Sequence, residues 1–422
     1  MKKKELGWAH WRILILLSSL SVVSYVHRVN ISIAATFMKR DLSLSDIQLG
    51  QIFSSFMVGY ALFQIPAGIV GDRWGPRLVF TVAACWWGVA TLLTGMVPGV
   101  WVTSGLGIFV SILTVRFLLG VGEAATYPVA ARAVADWIPI SQRAFGNSIV
   151  LAGIPVGTAV APPLIAWLMV TFGWRESFYI TSAGAVLMAI VWRMCTSEYP
   201  SVRWPQDSSS RRKSRDGAED SPVPTAPWWM VFRDRTVCLL TVSYFFEGYV
   251  FYMFVFWFYL YLVDVRGFSV LRGSMFASLP WLVAIVTTPM GGKFSDVLTI
   301  RFGRIDGARL IVMGAYGLAA LLLLLGARAQ NAYLAVAALS LSAGVLMSAE
   351  AAFWSSAIDV GGSNVGAVSG AMNTAGNVGG VVSTALVPVL VQHFGWPLAL
   401  GTGSAAAVLC ALTWLGIRAR SN

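Results

Sequence analysis

Long apolar runs, each able to cross a bilayer, recur along the chain and are separated by short polar breaks that carry Gly, Pro and charge. The runs predict twelve helices, at 13–38, 48–70, 78–97, 101–127, 144–170, 177–195, 236–263, 272–292, 308–326, 332–356, 364–391 and 397–417. About 20 apolar residues are enough for one helical crossing. Hydrocarbon offers the backbone no partner but itself, so such a run closes into a helix. One stretch breaks the rhythm. Residues 197–234 are rich in Ser, Pro and charge, including Arg211, Arg212, Lys213, Arg215, Glu219 and Asp220, and read as a cytoplasmic linker. It divides the chain into two six-helix bundles, 1–196 and 235–422.

Composition agrees with that pattern. The 422 residues are 57% hydrophobic and 12% charged, against roughly 45–50% and about 25% in soluble domains. A water-soluble fold is excluded, and so is a disordered chain. The expected fold is an all-α membrane protein whose first partner is the lipid bilayer. A net charge of +11 raises nucleic acid as a partner, and the placement of the charge answers it. With the N-terminus in the cytoplasm, 22 of the 30 Lys and Arg fall on the cytoplasmic side. Six fall on the other side (Lys39, Arg40, Arg175, Arg266, Arg272, Arg328), and two, Arg28 and Arg116, lie inside spans. That bias puts both termini in the cytoplasm of a multi-pass inner-membrane protein, and no nucleic-acid partner is expected.

Lys2, Lys3 and Lys4 before an apolar run resemble a signal peptide. The run continues too far and lacks a small-residue cleavage site, so it reads as the first span. Cys85, Cys195, Cys238 and Cys410 stand singly, without metal or CxxC spacing, as small buried hydrophobes. The acceptor-like Asn30-Ile31-Ser32 falls inside a span. No phosphate-binding loop, metal set or nucleophile–base constellation fits the topology. Neither an enzyme nor a cofactor is expected.

The two bundles carry an internal repeat. Phe172-Gly173-Trp174 recurs as Phe394-Gly395-Trp396 and Ala152-Gly153 as Ala375-Gly376. Tyr25-Val26 recurs as Tyr249-Val250, Glu123-Ala124-Ala125 as Glu350-Ala351-Ala352, and Asp72 as Asp296. The five matches keep one order, with offsets between 222 and 227. Parallel six-helix repeats describe a transporter that exposes a central site to each side in turn.

After the second run, Gly68, Asp72, Arg73, Gly75 and Arg77 resemble the Gly-x-x-x-Asp-Arg-x-Gly signature of the major facilitator superfamily, with a degenerate copy at Gly292, Asp296 and Arg301. The resemblance implies a gating loop that a neighbouring helix holds in one state and releases in the other.

Charge inside the spans is costly and marks function. Arg28, Arg116, Glu123, Glu247 and Glu350 are the candidates. Two deep arginines call for an anion, since the guanidinium fork suits a carboxylate or phosphate. The alternative is that they pair internally and only hold the bundle. Arg116, Gly120, Glu123 and Tyr127 share one helix face. There, an anion near Arg116 and a carboxyl able to relay protons at Glu123 would adjoin. The Gly153-x-x-x-Gly157 and Gly376-x-x-x-Gly380 spacings predict close helix packing.

Within the superfamily the chain resembles the anion:cation symporters, which include bacterial sugar-acid permeases and animal sialic acid, vesicular glutamate and phosphate transporters. The likeness rests on Tyr25 to Asn30, Tyr60 to Pro66, Arg116 to Ala124 and Ser369 to Asn377. It implies that Arg28 and Arg116 contact substrate or control coupling, and that Glu123 is the proton-linked carboxyl. It also implies that Tyr60 and Asn377 line the substrate pocket, with Trp354 and Ser355 facing the same cavity. His27 stands where sugar-acid members commonly have Asp, and could itself carry a proton. Ile154 stands where some galactonate-type members have Gln. Glu350, the repeat mate of Glu123, is either a second proton site or a structural partner.

The expected function is proton-coupled import of a small organic anion, a sugar acid or related carboxylate, by a monomer. A sodium- or phosphate-linked transporter, an exporter and a non-transporting sensor of the same fold are the alternatives.

Overall fold

The computed structural model describes residues 7–139, 142–197, 233–361 and 365–417. Among them are twelve helices long and apolar enough to cross a membrane, the number the apolar runs predict. They cover Trp8–Asp41, Asp46–Trp74, Pro76–Met96, Gly105–Trp137, Phe145–Phe172 and Trp174–Cys195, then Arg235–Val265, Val270–Phe302, Ile305–Arg328, Ala332–Gly361, Val365–Phe394 and Trp396–Gly416. These are spans one to twelve. The chain is a multi-pass, all-α membrane protein. The linker expected at 197–234 lies, over 198–232, outside the described residues, as do Lys2, Lys3 and Lys4.

Several helices outrun the apolar stretch that announced them. Span eight continues to Phe302 through Lys293, Asp296 and Arg301. Hydropathy measures the hydrocarbon thickness, whereas a helix ends where its caps stop it. Span two starts at a capping box. Ser45 Oγ accepts from the Gln48 amide at 3.2 Å, and the Gln48 side chain accepts from the Ser45 amide at 2.9 Å. Four single-glycine joints close the pattern. Gly75, Gly173, Gly303 and Gly395 link spans two to three, five to six, eight to nine and eleven to twelve, with φ of 79°, 107°, 90° and 80°. With ψ between 154° and 170°, each occupies a backbone region open to glycine and closed to side chains. The four fall at matched positions of the repeat.

Packing repeats as well. Span one lies along five, two along four and three along six. Span seven lies along eleven, eight along ten and nine along twelve. The two sets meet through two against eleven, five against eight, and one against seven. This is the pattern of a two-fold relation whose axis runs between spans one and seven. The glycine spacings act as expected from packing. A side chain at Gly153 or Gly157 would collide with Ser18, Ser21 or Val22 of span one. At Gly380 it would collide with Tyr252 of span seven.

Bonds between the two sets run from the Lys39 end towards the middle. Lys39 Nζ lies 2.7 Å from Asp46 and 3.8 Å from Asp264 of span seven. Phe53 stacks on Phe256 with ring centroids 5.1 Å apart. Ser54 and Thr384 share a hydrogen bond of 2.7 Å, Ser278 donates to the Ala159 carbonyl at 2.5 Å, and Asn373 donates to Gln64 at 2.8 Å.

Spans four and ten each carry one irregular turn in an otherwise continuous helix. The turns fall at Ala124–Ala125, immediately after Glu123, and at Ser348–Ala349, immediately before Glu350. The backbone stays in the helical region at Ala124, Ala125 and Ser348.

The joints make a stability prediction. Replacing Gly75 with Ala, where only φ is at issue, should cost about 1–3 kcal/mol. The same change at helical, unobstructed Gly184 should be neutral or stabilising by about 0.5–1 kcal/mol. Thermal melts of both variants in detergent check this, and equal midpoints would refute it.

Candidate functional site

The site is built where spans one, two and four meet. Ser24 and Arg28 occupy one face of span one. Span four can reach that face because Gly120 lies directly on the Phe56 carbonyl of span two, a spacing any Cβ would break. The four residues aligned on span four then find partners in turn. Arg116 meets the His27 carbonyl, Gly120 meets Phe56, Glu123 meets Ser24 and Arg28, and Tyr127 shares a 3.0 Å hydrogen bond with Ser21.

Glu123 Oε2 accepts from Arg28 Nη2 at 3.1 Å and from Ser24 Oγ at 3.0 Å, while its Oε1 is buried without a partner. Arg28 also donates from Nη1 to Tyr252 at 3.3 Å and to Tyr25 at 3.4 Å. Its guanidinium lies 4.6 Å from the ring centroids of both Tyr25 and Tyr60 and 5.1 Å from that of Phe56, a cation–π cage. Arg116 is 0% exposed. Its polar contact is a long 3.5 Å approach to the His27 carbonyl, and its Nε and Nη2 have no partner. Two guanidinium groups and one carboxyl therefore share one dry region. Buried polar groups are almost always hydrogen-bonded, so Arg116 Nε and Nη2, Arg28 Nε and Glu123 Oε1 leave unmet hydrogen-bonding capacity in this cluster.

Other expected residues fall around it. His27 Nδ1 shares a 2.9 Å hydrogen bond with Thr91 of span three, which turns the ring away from the Arg28–Glu123 pair. Tyr60 adds its ring to the Arg28 cage, and Gln64 donates to its hydroxyl at 3.3 Å. Asn377 accepts from Tyr252 at 3.1 Å and so joins span eleven to the same chain of bonds. Glu350 lies on the other six spans. Its Oε1 accepts from Tyr244 at 2.6 Å and from Trp354 at 2.7 Å. Ser355 is exposed and donates back to Ala352 of its own helix at 3.1 Å, so no described bond brings it to the cluster.

The loop after span two is held by the lower half of span four. Asp72 approaches Arg132 at 3.5 Å, and Arg132 also pairs with Asp136 at 3.0 Å. Gly68 faces Pro128, Gly75 makes the joint, and Arg77 donates to the Arg193 carbonyl at 2.9 Å; Arg73 is exposed.

Sequence reasoning singled out neither Ser24 nor Phe56; it expected Tyr249 or Tyr252 to face the cavity opposite Arg28, and the bond from Arg28 falls on Tyr252. A signal for Tyr252 was present. Arg28 and Tyr252 stand 224 residues apart, the repeat's own offset, so a two-fold axis between spans one and seven brings them face to face. Ser24 had no such mark, since only the fold shows that it points at Glu123.

A family model described as Major Facilitator Superfamily matches residues 17–384. Among curated proteins, the chain is 31% identical to a probable sulfoacetate transporter of Cupriavidus necator, over 88% of this chain and 85% of that one. It is 30% identical to a hexuronate transporter of Bacillus subtilis (89% and 86% covered), and 26% identical to a probable galactarate/D-glucarate transporter of the same species (96% and 92%). Among solved structures, the fold is similar to a bacterial homologue of the human lysosomal transporter Spinster, inward-facing and unoccupied. The TM-score is 0.71 at 20% identity, covering 98% of this chain and 96% of that one. A D-xylose–proton symporter gives 0.74 at 15% identity, with 96% and 97% covered.

The buried pair predicts non-additive stability. Replacing Glu123 alone with Leu strands Arg28 and should cost about 3–5 kcal/mol, much of which the double change Arg28→Met with Glu123→Leu should recover. Additive losses in thermal melts would refute the pairing.

Proposed function

The chain belongs to the major facilitator superfamily, and we propose that this member imports a small organic anion, a sugar acid or related carboxylate, together with protons. The observation that carries the reading is Arg116. It is a fully buried guanidinium with two unpartnered nitrogens beside an ion pair that consumes the one nearby carboxyl. A charge so placed is expensive unless a ligand of opposite sign meets it during the cycle. The names of the relatives, which specify sulfoacetate, hexuronate and galactarate or glucarate, support an acidic substrate.

Coupling follows from the pair. While Glu123 is ionised it occupies Arg28. A proton taken up on Glu123 neutralises the carboxyl and frees Arg28 to join Arg116 around the incoming anion, as a bidentate clamp suited to a carboxylate. Tyr60 and Asn377 line that clamp, and Trp354 and Ser355 belong to the opposite wall. His27 and Glu350 are further proton sites in this scheme. The two six-helix bundles, 1–196 and 235–422, then rock about the site, with the 197–234 linker joining them. The Asp72–Arg132 contact works as the gate on the side of the basic loops, the cytoplasmic side by the positive-inside bias. Bonds between the bundles run from the Lys39 end towards the middle, and this supports reading the conformation as closed on the outer side.

In proteoliposomes, Arg116→Ala should abolish uptake of a transported organic acid; a wild-type rate in that variant sinks the binding role. Glu123→Gln should retain anion exchange while losing accumulation driven by an imposed proton gradient. Undiminished accumulation, or accumulation that follows a sodium gradient instead, would remove proton coupling through Glu123.

A further inference from the structure

The last six spans carry two glutamates, Glu247 and Glu350, of which the cycle above uses only Glu350, as a proton site. Glu247 of span seven is 5% exposed and accepts no hydrogen bond among the described residues. Most buried polar side-chain atoms have at least one partner. Glu350 is held on one oxygen only, by Tyr244 and Trp354. Glu247 follows Tyr244, the residue that holds Glu350, by one turn of span seven, and neither glutamate forms a salt bridge among the described residues. The other neighbours are Tyr316 of span nine and Cys410 of span twelve, both buried.

This pair and the arginine cluster face each other through span seven. Tyr252 accepts from Arg28, and Glu247 is within electrostatic reach of both Tyr252 and Tyr25. Five residues separate Glu247 from Tyr252, about 7.5 Å along a helix axis. A six-carbon chain is long enough to cover that rise. One wall therefore carries two guanidinium groups against the single carboxyl of Glu123, and the other carries two carboxyls, of which only Glu350 is held by donors, Tyr244 and Trp354. A carboxyl takes hydroxyl hydrogens in either protonation state. In its ionised state it repels a second carboxylate in a poorly screened site.

Resting on the anion-import reading above, we propose that Glu247 and Glu350 receive the end of the substrate opposite its carboxylate, and so select a single-headed polyhydroxy acid over a dicarboxylate of the same length. Arg116 and Arg28 hold the one carboxylate, and the two glutamates accept hydroxyls at the far end. They leave no place for a second anionic head.

The test is uptake of D-gluconate against D-glucarate by the wild-type protein in proteoliposomes. The two share six carbons and differ in whether the far end is a hydroxyl or a carboxylate. Wild type should favour gluconate in kcat/KM by about tenfold or more, the scale of a like-charge contact across a site. Glu247→Gln should narrow that ratio several-fold while transport continues. A merely structural role for Glu247 would lower both rates and leave the ratio unchanged. Equal wild-type rates, or an unchanged ratio in a transporting Glu247→Gln variant, overturn the proposal. If that variant does not fold, Glu350→Gln replaces it; failing both, the wild-type ratio alone decides. Uptake of neither acid overturns it as well. Failure of every organic acid to be carried sinks the anion-import reading itself, whereas equal uptake of the two sinks only the selectivity.

Discussion

The constraint behind the rest of the structure is an unbalanced charge in a dry place. Arg28 and Glu123 lie 3.1 Å apart with almost no exposure, worth about 5 kcal/mol at an effective dielectric near 20. Desolvating the two ions costs several kcal/mol each, so the pair roughly breaks even. Arg116 adds a second guanidinium with no carboxyl of its own. The fold holds it through local geometry: the ring of Phe56 at 5.2 Å, the His27 carbonyl, and the backbone approach that Gly120 permits. Stability alone would favour an apolar side chain at Arg116. A site that retains the charge is one whose energy falls when an anion arrives.

The repeat explains how such a site comes to lie at the centre. Three helix pairings of the first half recur in the second, three more pairings join the halves, and the irregular turns of spans four and ten fall beside Glu123 and Glu350. The symmetry is kept in backbone and lost in chemistry. Where the first half has Arg28 the second has Tyr252, and the two are bonded to each other. Where the first half pairs its glutamate with a cation, the second gives Glu350 a phenol and an indole. Duplication supplied two equivalent walls, and divergence at a few positions gave them opposite electrical character.

The sequence made the architecture legible because its signals are local. Apolar run length counted the spans, and the joints at Gly173 and Gly395 stood out through identical Phe-Gly-Trp triplets. Charged residues inside spans are rare enough that counting them found Arg28, Arg116, Glu123, Glu247 and Glu350. Which of them pair was not legible. Arg28 and Arg116 look equivalent along the chain, and only the packing of span four on span one assigns Glu123 to Arg28 and leaves Arg116 open. His27 illustrates the same limit. Its neighbour in sequence is in the cluster, yet one residue turns a helix by about 100°, and its ring meets Thr91 instead. Helix ends such as Phe302 were misread because polar residues continue a helix past the hydrocarbon.

The placement of Arg28 makes the charge state of one carboxyl a matter for the whole molecule. Its guanidinium binds Glu123 within the first six spans and Tyr252 across the interface, and Tyr252 in turn binds Asn377 of span eleven. Asn373, one turn from Asn377, bonds Gln64, which bonds Tyr60 of the Arg28 cage. The bonds form a closed ring through spans one, two, seven and eleven, with Glu123 attached at a single point. Glu123 is also the last residue before the irregular turn of span four, and the segment beyond that turn holds Asp72 through Arg132. Glu123 therefore touches both an interface ring and the helix segment that contacts the loop after span two. In the proposed coupling scheme this path carries protonation into conformation, because bonds along it have discrete alternatives and packed helices do not deform continuously.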